Sequence, residues 1–233
     1  MLFESSRQLI LSNYNLPSIK LQQFMNLIVF GATGLVGKQL VKQALYMGHH
    51  VKAYGRNIFT SNLPESKELE IIQGALFDEK QVEKALRGCD AVLSALGGAT
   101  DGTDVTRSLG MKNIVAQMQK IKLQRIIGMG GLGILNADEE TLIMDTPDFA
   151  PEELSVSMEH FKAYNFLQES TLDWTFVCPP DIMDAPVTGV YTTKADYLPS
   201  RNKFRITYGD LAMFMLNEIT KNEYVKHRVG ISN

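Results

Sequence analysis

The chain has 233 residues, 45% of them hydrophobic and 21% charged, with a formal net charge of −3. That length and mixture suit one α/β domain with a large core and a small C-terminal elaboration. The slight acidity gives no basic surface for nucleic acid or an anionic membrane, and no apolar run reaches membrane-spanning length. Cys89 and Cys178 are far apart and read as reduced thiols of a cytoplasmic protein. With the two cysteines, the four histidines are scattered without ligand spacing, so no metal site is expected. Residues 1–25 read as an N-terminal extension, either an upstream start ahead of Met25 or an outer arm. Residues 26–233 read as a single domain.

That domain opens with a strand, Leu27-Ile28-Val29-Phe30, then Gly31, Gly34 and Gly37, then Leu40, Val41, Ala44 and Leu45 at helical spacing. Strand, glycine turn and helix form the start of a dinucleotide-binding unit. Gly31 allows the sharp turn, Gly34 lets a pyrophosphate approach the backbone, and Gly37 lets the helix pack closely. Thr33, Leu35 and Val36 complete the candidate phosphate loop. The helix start presents free N–H groups and the positive end of its dipole. A nucleoside-triphosphate P-loop is excluded, because Ala32 and Gln39 stand where it needs glycine and Ser or Thr.

Gly48 reads as the helix stop, and His49 and His50 as capping residues beside a second strand over His50–Tyr54. An NAD enzyme would place an acid at the end of this strand; Arg56 stands there instead. It suits the 2′-phosphate of NADP, the other reading being a solvated arginine. Leu69–Gln73 is a third strand, Asp78 an N-cap for a helix over Glu79–Arg87, and Phe77 or Asp78 a candidate wall of an adenine pocket. A fourth strand, Ala91–Ser94, ends in Ala95, Leu96 and Gly97, small or apolar residues suited to a cofactor crevice. Ser94 is a candidate ribose contact, or plain strand-end packing. A flexible loop over Gly97–Asp104 precedes a helix reaching about Lys120, whose Leu109, Ile114, Val115 and Met118 read as core. Arg125–Met129 is a fifth strand, with Met129 at the crevice end. A long acidic segment, Asn136–Pro151, reads as a lid or merely a solvated loop. A helix over about Pro151–Ser170, a strand over Leu172–Cys178 and Pro179, a candidate wall at the nicotinamide side, follow. Val187–Thr193 and Phe204–Thr207 read as short strands, Asp210 as the N-cap of a last helix, and Val229–Ser232 as an edge strand. Six strands interleaved with helices imply a parallel sheet covered on both faces.

GATGLVG at 31–37, Arg56, GALFD at 74–78, GCDAVLSALG at 88–97 and QESTLDWTFVCPP at 168–180 together resemble the atypical short-chain dehydrogenase/reductase superfamily, in its NAD(P)H-binding branch. The resemblance covers Asn26 onward and is nearest to the biliverdin-IXβ reductase/flavin reductase group. It implies a Rossmann-type doubly wound fold, NADP(H) as cofactor, and a small aromatic acceptor of flavin or quinone type. None of the eight tyrosines has Lys four residues on, so the usual Tyr-x-x-x-Lys proton relay is absent. His160 matches a histidine of the flavin reductases, and a serine of theirs falls at about Gly131 here. His160 and Tyr164 share a helix face and are the candidate catalytic pair, or a surface pair without substrate contact. The alternative function is a non-catalytic NADP(H) sensor that binds a protein partner.

Overall fold

A computed structural model describes residues 24–200 and 203–233. Most of the N-terminal extension expected over residues 1–25 therefore lies outside the described residues. β1 (Asn26–Phe30) is aliphatic and aromatic after Asn26, and Leu27 to Phe30 are fully buried. Such a run is stable only in a sheet covered on both faces. β1 pairs in parallel with β2 (His50–Gly55) on one side and β4 (Ala91–Ser94) on the other, placing Val29 between Ala53 and Leu93. β3 (Leu69–Gln73), β5 (Arg125–Met129) and β6 (Asp173–Cys178) extend this to the order 3-2-1-4-5-6. This is the doubly wound Rossmann-type order, which reverses between β1 and β4.

Helices cover both faces. α1 (Leu35–Tyr46) presents Leu40, Val41 and Ala44 to one core, shared with Leu211, Ala212 and Met215 of α5 (Tyr208–Lys221). α2 (Glu79–Leu86), α3 (Thr106–Ile121) and α4 (Leu154–Gln168) cover the other face over Ile28, Val92, Ile126 and Trp174. No helix among the described residues is long and apolar enough to cross a membrane. The acidic segment before α4 contains short 3-10 turns at Ile143–Asp145 and Pro151–Glu153.

The C-terminal third departs from the expected pattern. β10 (His227–Ser232) is not an edge strand: it lies between β6, which it parallels, and β8 (Thr192–Ala195), which runs antiparallel to it. Its Val229 and Ile231 are fully buried, as an interior strand requires. The strand expected over Val187–Thr193 begins only at Thr192, because the N–H groups of Thr188 and Gly189 donate to the Asp210 carboxylate, each at 2.8 Å, rather than to a ladder. Asp210 therefore does not cap α5. Thr207 does, accepting from the Asp210 N–H at 2.9 Å. Phe204–Thr207 narrows to β9 (Arg205–Thr207), paired in parallel with β7 (Asp181–Met183), which the sequence pattern did not show. Leu109, expected in the core, is 43% exposed on the outer side of α3, while Ser108, Gly110 and Met111 beside it are buried.

The Asp210 carboxylate also accepts from the Thr188 hydroxyl at 2.6 Å. Burial pushes its pKa up, but the hydrogen bonds from Thr188 and Gly189 outweigh burial and hold it below the ordinary value. A depressed folded pKa gives stability that is present above the unfolded pKa of about 3.9 and is lost as pH falls through the folded value. Asp210→Ala should cost about 1–3 kcal/mol at neutral pH by stranding these donors. The gap from wild type in urea unfolding should narrow at pH below about 4.

Candidate functional site

A cleft of about 810 Å³ opens at the carboxyl ends of β1, β2 and β4, where the strand order reverses. Ligands of open α/β sheets bind at this point. The cleft exists because three segments approach more closely than side chains allow. Gly31 has φ +77°, and a Cβ there would lie 2.3 Å from the Ala95 carbonyl oxygen. A Cβ on Gly37 would lie 2.1 Å from the Gly31 carbonyl oxygen, so α1 packs onto its own entry turn. Gly34 differs: an added Cβ meets only the Gly31 oxygen, at 3.5 Å.

Gly34 is the N-cap of α1, and no side chain caps that helix. Its first turn also carries no acid. By contrast Asp78 caps α2 and Thr207 caps α5. The first N–H groups of α1 thus have no capping side chain, and the first intrahelical bond is Lys38 N–H to Gly34 O at 2.9 Å. Free N–H groups, a positive dipole end and no side chain in the way suit a pyrophosphate.

One end of the cleft is formed by Arg56, exposed beyond β2, and by Phe77 after β3. Tyr54 forms part of its floor. Its hydroxyl donates to the Ala75 carbonyl at 2.9 Å, and burial raises its pKa to about 12. Gly74 is required beside it, since a Cβ would meet that hydroxyl at 2.3 Å. The other end is formed by Ala95, Leu96, Gly97, Thr106, Met129, Ile182 and Tyr208. The segment over Gly97–Asp104, expected as a flexible loop, is tied to α3. The buried Arg107 guanidinium donates to the carbonyls of Gly98 and Ala99, each at 3.1 Å, and Asp104 accepts from the N–H groups of Ala99 and Thr106.

Of the residues singled out in the sequence, Gly31, Thr33, Gly34, Leu35, Val36, Arg56, Phe77, Ala95, Leu96, Gly97 and Met129 line this one cleft. Gly37 stands behind the loop, Asp78 is occupied capping Gln81 N–H at 3.0 Å, and Ser94 and Pro179 are buried outside the cleft wall. His160 and Tyr164 also lie outside it. His160 packs its edge on Phe176, with Gly131 close enough that a Cβ there would lie 2.9 Å from its ring. Tyr164 packs edge-on against Trp174, with the Arg228 guanidinium 4.9 Å from its ring centre. Sequence reasoning missed Tyr54, Gly74, Thr106, Ile182 and Tyr208 as cleft residues. Tyr54 and Gly74 could have been found from their place at the ends of adjacent parallel strands. Nothing local marks Ile182 or Tyr208.

The fold and cleft define a Rossmann-type dinucleotide-binding protein. Residues 31–222 match the NAD(P)H-binding family, and the chain belongs to it. It is similar to a candidate NADH-flavin reductase of Streptococcus pneumoniae, with 30% identity and a TM-score of 0.79, covering 90% of this chain and 99% of that one. It is also 27% identical to the Bacillus subtilis protein YwnB over 214 residues, 89% of this chain and 98% of that protein. A short-chain dehydrogenase/reductase of Veillonella parvula solved with NADP shares the fold, with a TM-score of 0.72, 20% identity and coverage of 91% and 95%.

Burial first, and the Arg107 charge second, lower the His160 pKa to about 3. Its imidazole should therefore stay neutral from about pH 5 to 8, where an unperturbed histidine titrates. Ring proton shifts followed by NMR should be flat over that range. A midpoint near 6.5 would show an accessible ring. The glycine geometry makes a second prediction. Gly34→Ala should leave the thermal midpoint nearly unchanged yet weaken NAD(P)H binding at least tenfold, whereas Gly31→Ala should destabilise the fold itself by about 1–3 kcal/mol.

Proposed function

We propose that the chain is an NADPH-dependent reductase that passes hydride to a planar acceptor of flavin or quinone type. The observation that carries this reading is Arg56: it ends β2 at the cleft, is exposed, and takes the place where an acid would bind ribose hydroxyls. A planar guanidinium suits the 2′-phosphate of NADP. The relative from Streptococcus pneumoniae is named for NADH, so Arg56 is the reason for choosing NADPH here. That relative is also what supports a flavin-type acceptor.

A bound nicotinamide supplies the hydride. The chain binds, orients and excludes water. The uncapped start of α1 holds the pyrophosphate, and Gly31 and Gly34 bring backbone to it without a side chain between. Gly97 leaves open space at the end of β4, since a Cβ there would meet nothing within 4 Å. Leu96, Met129 and Ile182 give that end an apolar wall, against which a flat ring can stack with water excluded. A flavin or quinone acceptor can take its proton from solvent, so the lost Tyr-x-x-x-Lys relay and a buried neutral His160 are compatible with turnover.

A second reading is a non-catalytic NADP(H)-sensing protein that binds a protein partner. It is favoured by the position of His160 and Tyr164 outside the cleft wall. Oxidation of NADPH in the presence of FMN or a quinone separates the two: acceptor-dependent turnover supports the reductase, and tight binding without turnover supports the sensor. Arg56→Ala should weaken NADPH binding about ten- to a hundredfold, the loss of one or two charge-assisted hydrogen bonds, and leave NADH binding within about twofold. Equal losses for the two cofactors in parallel titrations would remove the case for NADP.

A further inference from the structure

The acceptor end of the cleft is poor in hydrogen-bond donors. Met129 and Ile182 are apolar, Gly97 and Gly98 bring no side chain, and Thr106 is held on Asp104. Tyr208 brings an uncommitted side-chain hydroxyl there: it lines the cleft, is half-buried, and makes no hydrogen bond through its phenol. The other cleft tyrosine, Tyr54, spends its hydroxyl on the Ala75 carbonyl at the opposite end.

The backbone on both sides of Tyr208 is fixed. Before it, Thr207 is paired with Met183 across β9 and β7 and caps α5 through the Asp210 N–H at 2.9 Å. After it, Gly209 accepts from the Gln43 side chain at 3.0 Å and donates to the Ala185 carbonyl at 3.3 Å. A Cβ at Gly209 would lie 2.3 Å from the Val187 nitrogen, so this turn of α5 is wedged against the segment after β7. A rigidly held tyrosine with a free hydroxyl in an apolar cleft end is a preorganised donor.

We propose that the Tyr208 hydroxyl donates a hydrogen bond to a carbonyl oxygen of the acceptor, so that the site selects planar rings bearing a carbonyl over planar hydrocarbons of the same shape. This rests on the reductase reading above and adds the residue that fixes the acceptor. Tyr208 would replace, from a different helix, the donor that the missing Tyr-x-x-x-Lys motif would have supplied.

The test is binding rather than turnover. Full-length protein saturated with NADP⁺ is titrated with FMN, with menadione, and with methylnaphthalene as the carbonyl-free counterpart of menadione. Tyr208→Phe keeps the ring and removes only the hydroxyl. The expected result is a loss of about three- to tenfold in affinity for FMN and menadione, with methylnaphthalene and NADP⁺ affinities unchanged within about twofold. Equal binding of FMN and menadione by wild type and Tyr208→Phe overturns the assignment and leaves the reductase reading standing. A parallel loss for methylnaphthalene or NADP⁺ also overturns it, because Tyr208 would then be shaping the cleft. Wild-type protein that binds NADP⁺ but neither carbonyl ring removes the acceptor reading and this one together.

Discussion

The cleft depends on one close approach, between Gly31 and the carbonyl of Ala95. A methyl group on Gly31 would sit 2.3 Å from that oxygen, well inside van der Waals contact. Only hydrogen fits, and with φ at +77° only glycine adopts the turn without strain. The approach brings the ends of β1 and β4 together where the sheet order reverses, and the Ala95 N–H to Phe30 O bond at 3.0 Å closes the seam. With a side chain at position 31 the two strand ends must separate, and Ala95 to Gly98 lose their place opposite the phosphate loop.

The chain accepts a local cost to keep that loop open. A side-chain N-cap is typically worth about 1 kcal/mol, and α2 and α5 have one while α1 does not. α3 and α4 also start without a side-chain cap, but only α1 starts on glycine, at the cleft. A capping Ser or Asp at position 34 would fill the space that a pyrophosphate needs and would compete for the same N–H groups. The stability of α1 instead comes from burial: Val36, Leu40, Val41 and Ala44 face a core shared with α5.

Where the physics is local, the sequence was legible. Short apolar runs gave β1, β4 and β5, and three glycines between a strand and a helix gave the turn that lines the cleft. Arg56 was found by its position at a strand end. The C-terminal third was not legible, because its structure is set by contacts distant in sequence. Asp210 looks like an N-cap because acids favour helix starts. It lies within the first turn, past the Thr207 cap, and its carboxylate instead captures the N–H groups of Thr188 and Gly189. Val229 to Ser232 looks like an edge strand, yet it inserts between β6 and the earlier β8, a pairing across more than thirty residues that no local pattern marks. Tyr208 had no signal at all: it reaches the cleft because β9 pairs with β7, and a three-residue strand carries too little pattern to be seen.

Buried arginines hold irregular backbone in place after β4 and β5 and brace the opposite end of the sheet. Arg107 serves the carbonyls of Gly98 and Ala99 after β4, and Arg228 donates to the Ile134 carbonyl and, at 2.8 Å, to the Asn136 side chain after β5. At the opposite end of the sheet Arg125 serves Asp173 and Glu218 and pairs with the Glu218 carboxylate at 3.1 Å. One guanidinium carries five donors in a rigid fork, so each can satisfy two acceptors and fix their separation. Arg107 also sets the electrostatics beside it. Burial first, and that fixed charge second, hold the His160 pKa low, and its ring packs beside Gly131. The polar groups that line the cleft itself are the N–H groups at the start of α1, Arg56, and the hydroxyls of Thr33, Tyr54, Thr106 and Tyr208.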